Sequence, residues 1–151
     1  MQKKTCFFIG HRDTPESIFP ALFAEVERHI VTYGVTNFIA GHYGAFDRLA
    51  AKAVSQAKTR HPHVTLTMLL PYHPVEQPIS VPLWFDDTLY PDGLESVPRR
   101  LAIIKANHYA IDHADHIISY VWHPASNSAA LLEHARLHRK QICNLVTEQG
   151  N

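Results

Sequence analysis

The apolar positions of this chain switch repeatedly between strand-like runs and helical spacing. Thr5–Gly10 (TCFFIG) is a short continuous apolar run and predicts a buried strand. Ile18, Leu22, Val26 and Ile30 then recur at helical spacing to about Tyr33. Asp13-Thr14-Pro15 supplies a helix start, with Asp13 or Thr14 as cap, and Gly34 supplies the stop. Val35–Ala40 predicts a second strand. A helix from about Phe46 to Thr59 follows, with Ala50, Ala53, Val54 and Ala57 on its inner face, small enough to pack close to a sheet. His61-Pro62-His63 turns the chain into a third strand, Val64–Leu70. Residues 71–98 then break the rhythm, with Pro71, Pro74, Pro78, Pro82, Pro91 and Pro98 set among Tyr72, Trp84, Phe85 and Tyr90. A connection this long is usually functional or disordered, and its aromatics predict an ordered flap over one end of the sheet. A helix over 97–113, a strand within 115–122, a helix over 128–140 and a strand over 141–146 complete the chain.

Strands alternating with helices imply a mainly parallel sheet covered on both faces. The expected fold is a Rossmann-like, three-layer α/β/α arrangement with about five strands. At 151 residues the chain is expected to form a single domain, spanning 1–151, with the flap as its one excursion.

Composition narrows the function classes. Lys plus Arg and Asp plus Glu number 14 each, so formal net charge is zero. A whole-surface basic field is absent, which disfavours nucleic acid as a partner unless a local patch serves. The apolar runs fall well short of a membrane span, and the first residues lack a signal-peptide core. Cys6 and Cys143, both in predicted strands, suit a reducing cytoplasm rather than a disulfide framework. The 12 histidines include the close pairs His61/His63, His113/His116 and His134/His138. The last pair has i,i+4 spacing on a helix, so both rings could bind one metal. No third ligand stands at a convincing spacing, and no metal site is expected.

Candidate chemistry lies in the turns that follow the strands. Gly10-His11-Arg12 closes the first strand before a helix, where backbone N–H groups and the helix dipole favour an anion. Arg12 adds a bidentate donor for phosphate or carboxylate. Gly41-His42-Tyr43-Gly44-Ala45-Phe46-Asp47 forms the corresponding turn after the second strand. In a parallel sheet both turns reach the same edge. Gly41 and Gly44 would approach phosphate, Tyr43 would stack on a base or merely cover the turn, and Asp47 would hold a sugar hydroxyl or act as a general base. Asp47 in a first helical turn is equally a plain cap. Arg99 and Arg100 sit in a first helical turn, where they oppose the dipole, which points either to an anion served by one of them or to exposed arginines paired with Glu95 or Asp92. Ser126-Asn127-Ser128 can cap the last long helix and donate to a ligand, and Glu133 lies one turn further on, either as a second carboxylate or as a plain exposed helix acid. No G-x-G-x-x-G follows the first strand and no acid ends the second, so an ordinary NAD dehydrogenase is disfavoured.

Taken in order, these segments resemble the SMF/DprA–LOG (SLOG) superfamily of Rossmann-like domains. Gly10-His11-Arg12 is similar to its G-[S/H]-R opening, and Ala40–Asp47 to its S-G-x-x-x-G-x-D turn. Ala114–Ile118 with Ser126–Ala130 is similar to its S-D-x-[VI]-[VI] … G-G-A segment. Small stand-alone members also share a Y-P-[D/E]-G-L-E-x-V-P-x-R flap, here Tyr90–Arg100. The resemblance implies a pocket built from Gly10, Arg12, Gly41, Gly44, Asp47 and the Ser126–Ser128 turn. It implies a nucleotide-related ligand or single-stranded DNA. In the Lonely Guy branch it implies cleavage of nucleoside monophosphates to base and ribose phosphate. Two departures stand out: Ser126-Asn127-Ser128 replaces the glycine pair, and the Lonely Guy stretch P-G-G-x-G-T-x-x-E is missing.

The expectation is therefore a cytoplasmic domain that binds a nucleotide or nucleotide-derived small molecule at the strands' carboxyl ends, as sensor or processing domain. Gly10, His11, Arg12, Gly41, Tyr43, Gly44, Asp47 and Ser126–Ser128 would form the site, with Tyr90 and Arg100 closing it from the flap. The alternative is an N-glycosidase-type hydrolase using Asp47 and Glu133, as paired carboxylates do in glycoside hydrolysis. A nucleic-acid-binding module is a third reading. No cofactor is named by the sequence. A homodimer or higher oligomer is the expected assembly, through apolar helix faces.

Overall fold

The computed structural model describes residues 3–148. Six strands form one sheet: β1 (Lys4–Gly10), β2 (Val35–Ala40), β3 (Thr65–Leu69), β4 (Asp87–Leu89), β5 (His116–Tyr120) and β6 (Gln141–Asn144). Their order is β4-β3-β2-β1-β5-β6, and every neighbouring pair is parallel. Helices α1 (Phe19–Val31), α2 (Ala45–Ala57), α3 (Arg99–His113) and α4 (Asn127–Leu137) supply the connections, and a short α5 (Leu145–Glu148) closes the described chain. This is the expected Rossmann-like α/β fold. No helix among the described residues is long and apolar enough to cross a membrane.

The unbroken apolar run of β1 has a direct cause. Successive strand side chains point to opposite faces, and both faces are covered here. Cys6 and Phe8 enter the layer that also holds Leu22, Val26, Ala50 and Val54 from α1 and α2. Phe7 and Ile9 enter the opposite layer, with Ala106, Ala110 and Ile111 from α3 and Ala135 from α4. On α2, Ala50, Ala53, Val54 and Ala57 are fully buried, as their spacing predicts. α1 keeps Leu22, Val26 and Ile30 on its buried stripe, but it starts later than the sequence suggests. A 3-10 turn at Glu16–Ile18 precedes it without a side-chain cap. Thr14 instead donates its Oγ1 proton to the His11 carbonyl at 2.6 Å.

The proline-rich segment differs from expectation in one respect. It runs out to the sheet edge and adds a sixth strand, β4, beside β3. Asp86 anchors that strand. Its backbone N–H donates to the Leu66 carbonyl at 2.8 Å, and its carboxylate accepts the Leu66 N–H at 2.8 Å and pairs with Lys58. Burial alone would raise the Asp86 carboxyl, but Lys58 and the Leu66 N–H hold it below its ordinary value. Three residues, Asp-Thr-Leu, are too short to show a strand period.

The chain lays down β1 to β4 toward one edge, then crosses back to place β5 on the other side of β1. The order reverses between β1 and β5. In open α/β sheets a crevice forms at that reversal, beyond the strands' carboxyl ends.

Candidate functional site

A cleft of about 310 Å³ opens at this reversal. Phe8, Ile9, Leu69, Ile103, Ala106 and Leu131 form an apolar interior, and Arg12, Asp13, Tyr43, Asn107 and Ser126–Ser128 supply polar groups. Its size sits at the lower end for small-molecule sites, and its mixture of apolar wall and few polar groups is typical of them. Of the residues expected from sequence, Gly10, His11, Arg12, Gly41, Tyr43, Asp47, Ser126, Asn127 and Ser128 all line this one cleft.

Two turns mesh to make the wall. Gly44 precedes α2 with φ of 104°, and a Cβ there would stand 2.7 Å from the Arg12 Cα. The Ala45 N–H donates to the Arg12 carbonyl at 2.8 Å across the same contact. A Cβ on Gly10 would overlap the Phe46 ring, at 2.2 Å from its Cγ. Gly44 therefore lets the β1 and β2 turns touch rather than lining the cleft, and Gly10 makes room for Phe46 as well as lining it.

The hydroxyl and imidazole groups are largely committed to holding the turns. His11 is buried, and its Nε2 accepts the N–H groups of Trp122 at 3.0 Å and His123 at 3.3 Å. That geometry requires an unprotonated Nε2, and burial lowers the His11 pKa, against Asp13 and with His123. His11 thus ties the β1 turn to the β5 turn. Ser126 caps α4 by accepting the Ala129 N–H at 3.0 Å, and donates to the His123 carbonyl at 2.8 Å. Ser128 donates to the Gly10 carbonyl at 3.0 Å. The hydroxyls that the sequence offered to a ligand are thus engaged with the protein itself.

Arg12 and Asp47 are different. The exposed Arg12 guanidinium makes no hydrogen bond or ion pair among the described residues. Asp47 occupies the third position of α2, and its Oδ2 accepts the Tyr43 N–H at 3.0 Å. The bond satisfies a backbone donor one residue before the Gly44 N-cap and pins the turn that leads into α2. Burial pushes the Asp47 pKa up to about 7, against the Tyr43 N–H and the Arg12 charge. The carboxyl therefore holds its proton far above the pH at which an ordinary carboxylate has lost it. The Tyr43 ring lies tilted against His42, with centroids 4.2 Å apart and planes at 32°, and its buried phenol oxygen has no partner among the described residues.

Besides Gly44, three expected residues do not line the cleft: Glu133, Tyr90 and Arg100. Glu133 lies exposed on α4 and pairs with Arg136 at 2.6 Å, so the two carboxylates for hydrolysis are not brought together. Tyr90 packs against the core layer beneath α3, its ring 5.3 Å from that of His73. Arg100 is exposed in the first turn of α3. Its neighbour Arg99 lies over the Tyr72 ring at 4.3 Å and bonds Gln77, which answers the expected anion with contacts inside the flap. The flap does contribute Pro71 to the cleft.

Sequence reading missed Asn107, which lines the cleft from α3 beside Ile103 and Ala106. Its Nδ2 donates to the Ile103 carbonyl at 2.7 Å, leaving Oδ1 as an acceptor. A helix-disfavouring amide within a helix was the available signal.

No protein-family model and no curated protein sequence matches this chain. Solved structures do. The molybdenum cofactor binding protein of Rippkaea orientalis matches with a TM-score of 0.63 at 12% identity, over 99% of this chain and 82% of that one. The Moco carrier protein of Chlamydomonas reinhardtii matches at 0.59 with 18% identity, over 94% and 75%. DNA processing protein A of Helicobacter pylori, which binds single-stranded DNA, matches at 0.56 with 16% identity, over 92% and 63%. At such identities the likeness is one of fold. The chain has the Rossmann-like fold of these cofactor carriers and of DNA processing protein A, which is the fold that the SLOG resemblance implies.

Proposed function

We propose that this chain binds a phosphorylated, nucleotide-like small molecule in the cleft between the β1 and β5 turns. The observation that carries the reading is the unpartnered Arg12 guanidinium at a cleft lying on the sheet's topological reversal. An exposed guanidinium at the mouth of a cleft, with no acid bound to it, is open to an anion, and its planar fork suits phosphate geometry. The α2 N-terminus beside it has no side-chain cap, so its dipole favours the same anion. Ile9, Ile103 and Leu131 offer apolar surface to a heterocycle, with the Asn107 Oδ1 within the same cleft as an acceptor. A protonated Asp47 neither repels phosphate nor competes for Arg12, and it can donate a hydrogen bond to a sugar or phosphate oxygen.

Binding is favoured over hydrolysis because Glu133 is committed to Arg136, outside the cleft. The zero net charge argues against single-stranded DNA, whose affinity comes mainly from phosphate contacts. The fold neighbours that hold molybdenum cofactor extend the ligand class to other phosphorylated heterocycles.

The test is a calorimetric and thermal-shift series with nucleoside mono- and diphosphates, molybdenum cofactor and a short single-stranded DNA. A phosphorylated small molecule should bind and raise the melting midpoint, and Arg12→Ala should weaken it by ~1.5–3 kcal/mol, the scale of a hydrogen bond to a charged group. Equal affinity in Arg12→Ala, or binding of DNA alone with steep salt dependence, refutes the proposal.

A further inference from the structure

α3 and α4 lie side by side, and each carries a pair of potential ligands four residues apart. His108 and Asp112 stand on α3; His134 stands on α4 and His138 caps its end. Residues at this spacing share one helix face. The pairs meet. His134 Nε2 is 2.8 Å from Asp112 Oδ1, and one ligand atom each from Asp112, His134 and His138 lie within 4.8 Å of one another. His138 Nδ1 is 2.8 Å from the His134 carbonyl, so it carries the proton and leaves Nε2 with its lone pair. The His108 ring lies parallel to His134, with centroids 4.1 Å apart and planes at 5°. None of these four residues lines the cleft described above.

We propose that Asp112, His134 and His138 form a binding site for a divalent transition cation, Zn²⁺ in the first instance, joining α3 to α4. Two imidazoles and one carboxylate are the donor set that Zn²⁺ takes, whereas Ca²⁺ and Mg²⁺ take oxygen ligands. With bonds of about 2.0–2.1 Å, tetrahedral donors stand about 3.3 Å apart. Asp112 and His138 are exposed and His134 is half-buried, so their side chains are free to rotate and close the remaining gap. The cation takes the place of the hydrogen between His134 Nε2 and Asp112 Oδ1: a neutral His134 ring binds it as the tautomer with its proton on Nδ1, and Asp112 turns its freed oxygen to the cation. His108 stays stacked on His134 and orients its ring, and the fourth coordination position falls to water.

The consequence reaches the cleft. α3 walls it through Ile103, Ala106 and Asn107, and α4 through Leu131, one turn from His134. A cation bridging the two helices therefore sets the separation of these walls.

The test uses the full, untagged chain, stripped with a chelator and titrated with Zn²⁺ by calorimetry at pH 7.5. Co²⁺ serves as the spectroscopic probe. The expected result is one ion per chain, an intense visible Co²⁺ band of tetrahedral type, and a higher melting midpoint with metal. His134→Gln and His138→Gln should each weaken binding by about tenfold or more and remove the Co²⁺ band, and Asp112→Asn should abolish the metal-dependent rise in midpoint. His63→Gln, in a separate histidine pair, should bind as the parent does. The ligands are on the surface, so circular dichroism in chelator should show parent-like folding for every variant. Sub-stoichiometric binding, or parent-like affinity in His134→Gln and His138→Gln, overturns the proposal and leaves Asp112–His134 as an ion pair only.

Discussion

Replacing Asp47 with Asn isolates the most unusual group in the cleft wall. Asn retains an acceptor for the Tyr43 N–H and removes the ionisation. In the folded protein the Asp47 pKa is about 7, against an ordinary value of 3.8. The folded state therefore holds this proton more tightly than the unfolded chain does. Its contribution to stability is full below about pH 4 and is lost as pH rises to about 7. A shift of about three units corresponds to roughly 4 kcal/mol in all, and the part falling between pH 4.5 and 8 is at most about 3 kcal/mol. For a chain of this size, that is roughly 6–12 °C in melting midpoint. The assay is urea denaturation of the parent and Asp47→Asn at pH 4.5 and pH 8. The variant should gain on the parent as pH rises, while histidine contributions cancel in the comparison. A stability difference that is the same at both pH values, or that changes in the opposite direction, refutes a desolvated carboxyl held protonated by its surroundings.

Other perturbations test separate links. Gly44→Ala forces a Cβ into left-handed backbone 2.7 Å from the Arg12 Cα, and should cost about 1–3 kcal/mol in denaturant melts; an unchanged midpoint would show that the two turns do not mesh. Ser126→Ala removes the acceptor for the Ala129 N–H and should cost about 1 kcal/mol by thermal melting, the usual value of an N-cap. Burial lowers the His29 pKa below 6.5, against the Glu25 carbonyl and carboxylate and with the Arg28 charge. The unfolded chain then binds more protons, so His29's contribution is present above about pH 6.5 and lost as pH falls below it. His116 and Tyr33 also face this ring, at centroid distances of 5.1 and 4.9 Å. Urea midpoints at pH 7.5 and 5.5 should therefore converge for His29→Gln relative to the parent, and an identical acid loss in the variant would count against this assignment.

Much of the fold was legible because burial writes a period into the chain. The two-sided burial of β1 appears as the run Cys6–Ile9, and the close approach of α2 as Ala50, Ala53, Val54 and Ala57. β4 was not legible, because three residues carry no period and its stability comes from Asp86 bonding a distant strand. The site was legible in outline for a related reason. Turns after parallel strands must gather at one edge, so Gly10–Arg12, Gly41–Asp47 and Ser126–Ser128 could be read as neighbours. Their individual roles were not. Ser128 turns to the Gly10 carbonyl, and His11 to the N–H groups of Trp122 and His123, through contacts more than a hundred residues apart in sequence.

By itself, then, the sequence determined the alternation of strand and helix, the parallel sheet and the edge on which the cleft forms. These follow from local period and from chain connectivity. Only the tertiary structure decided which polar groups in the cleft stay available. It left Arg12 unpaired, raised the Asp47 pKa, bound Glu133 to Arg136 and brought Asp112 to His134 and His138. Desolvation and hydrogen bonding depend on what lies beside a group in space, and that proximity appears only when distant segments pack.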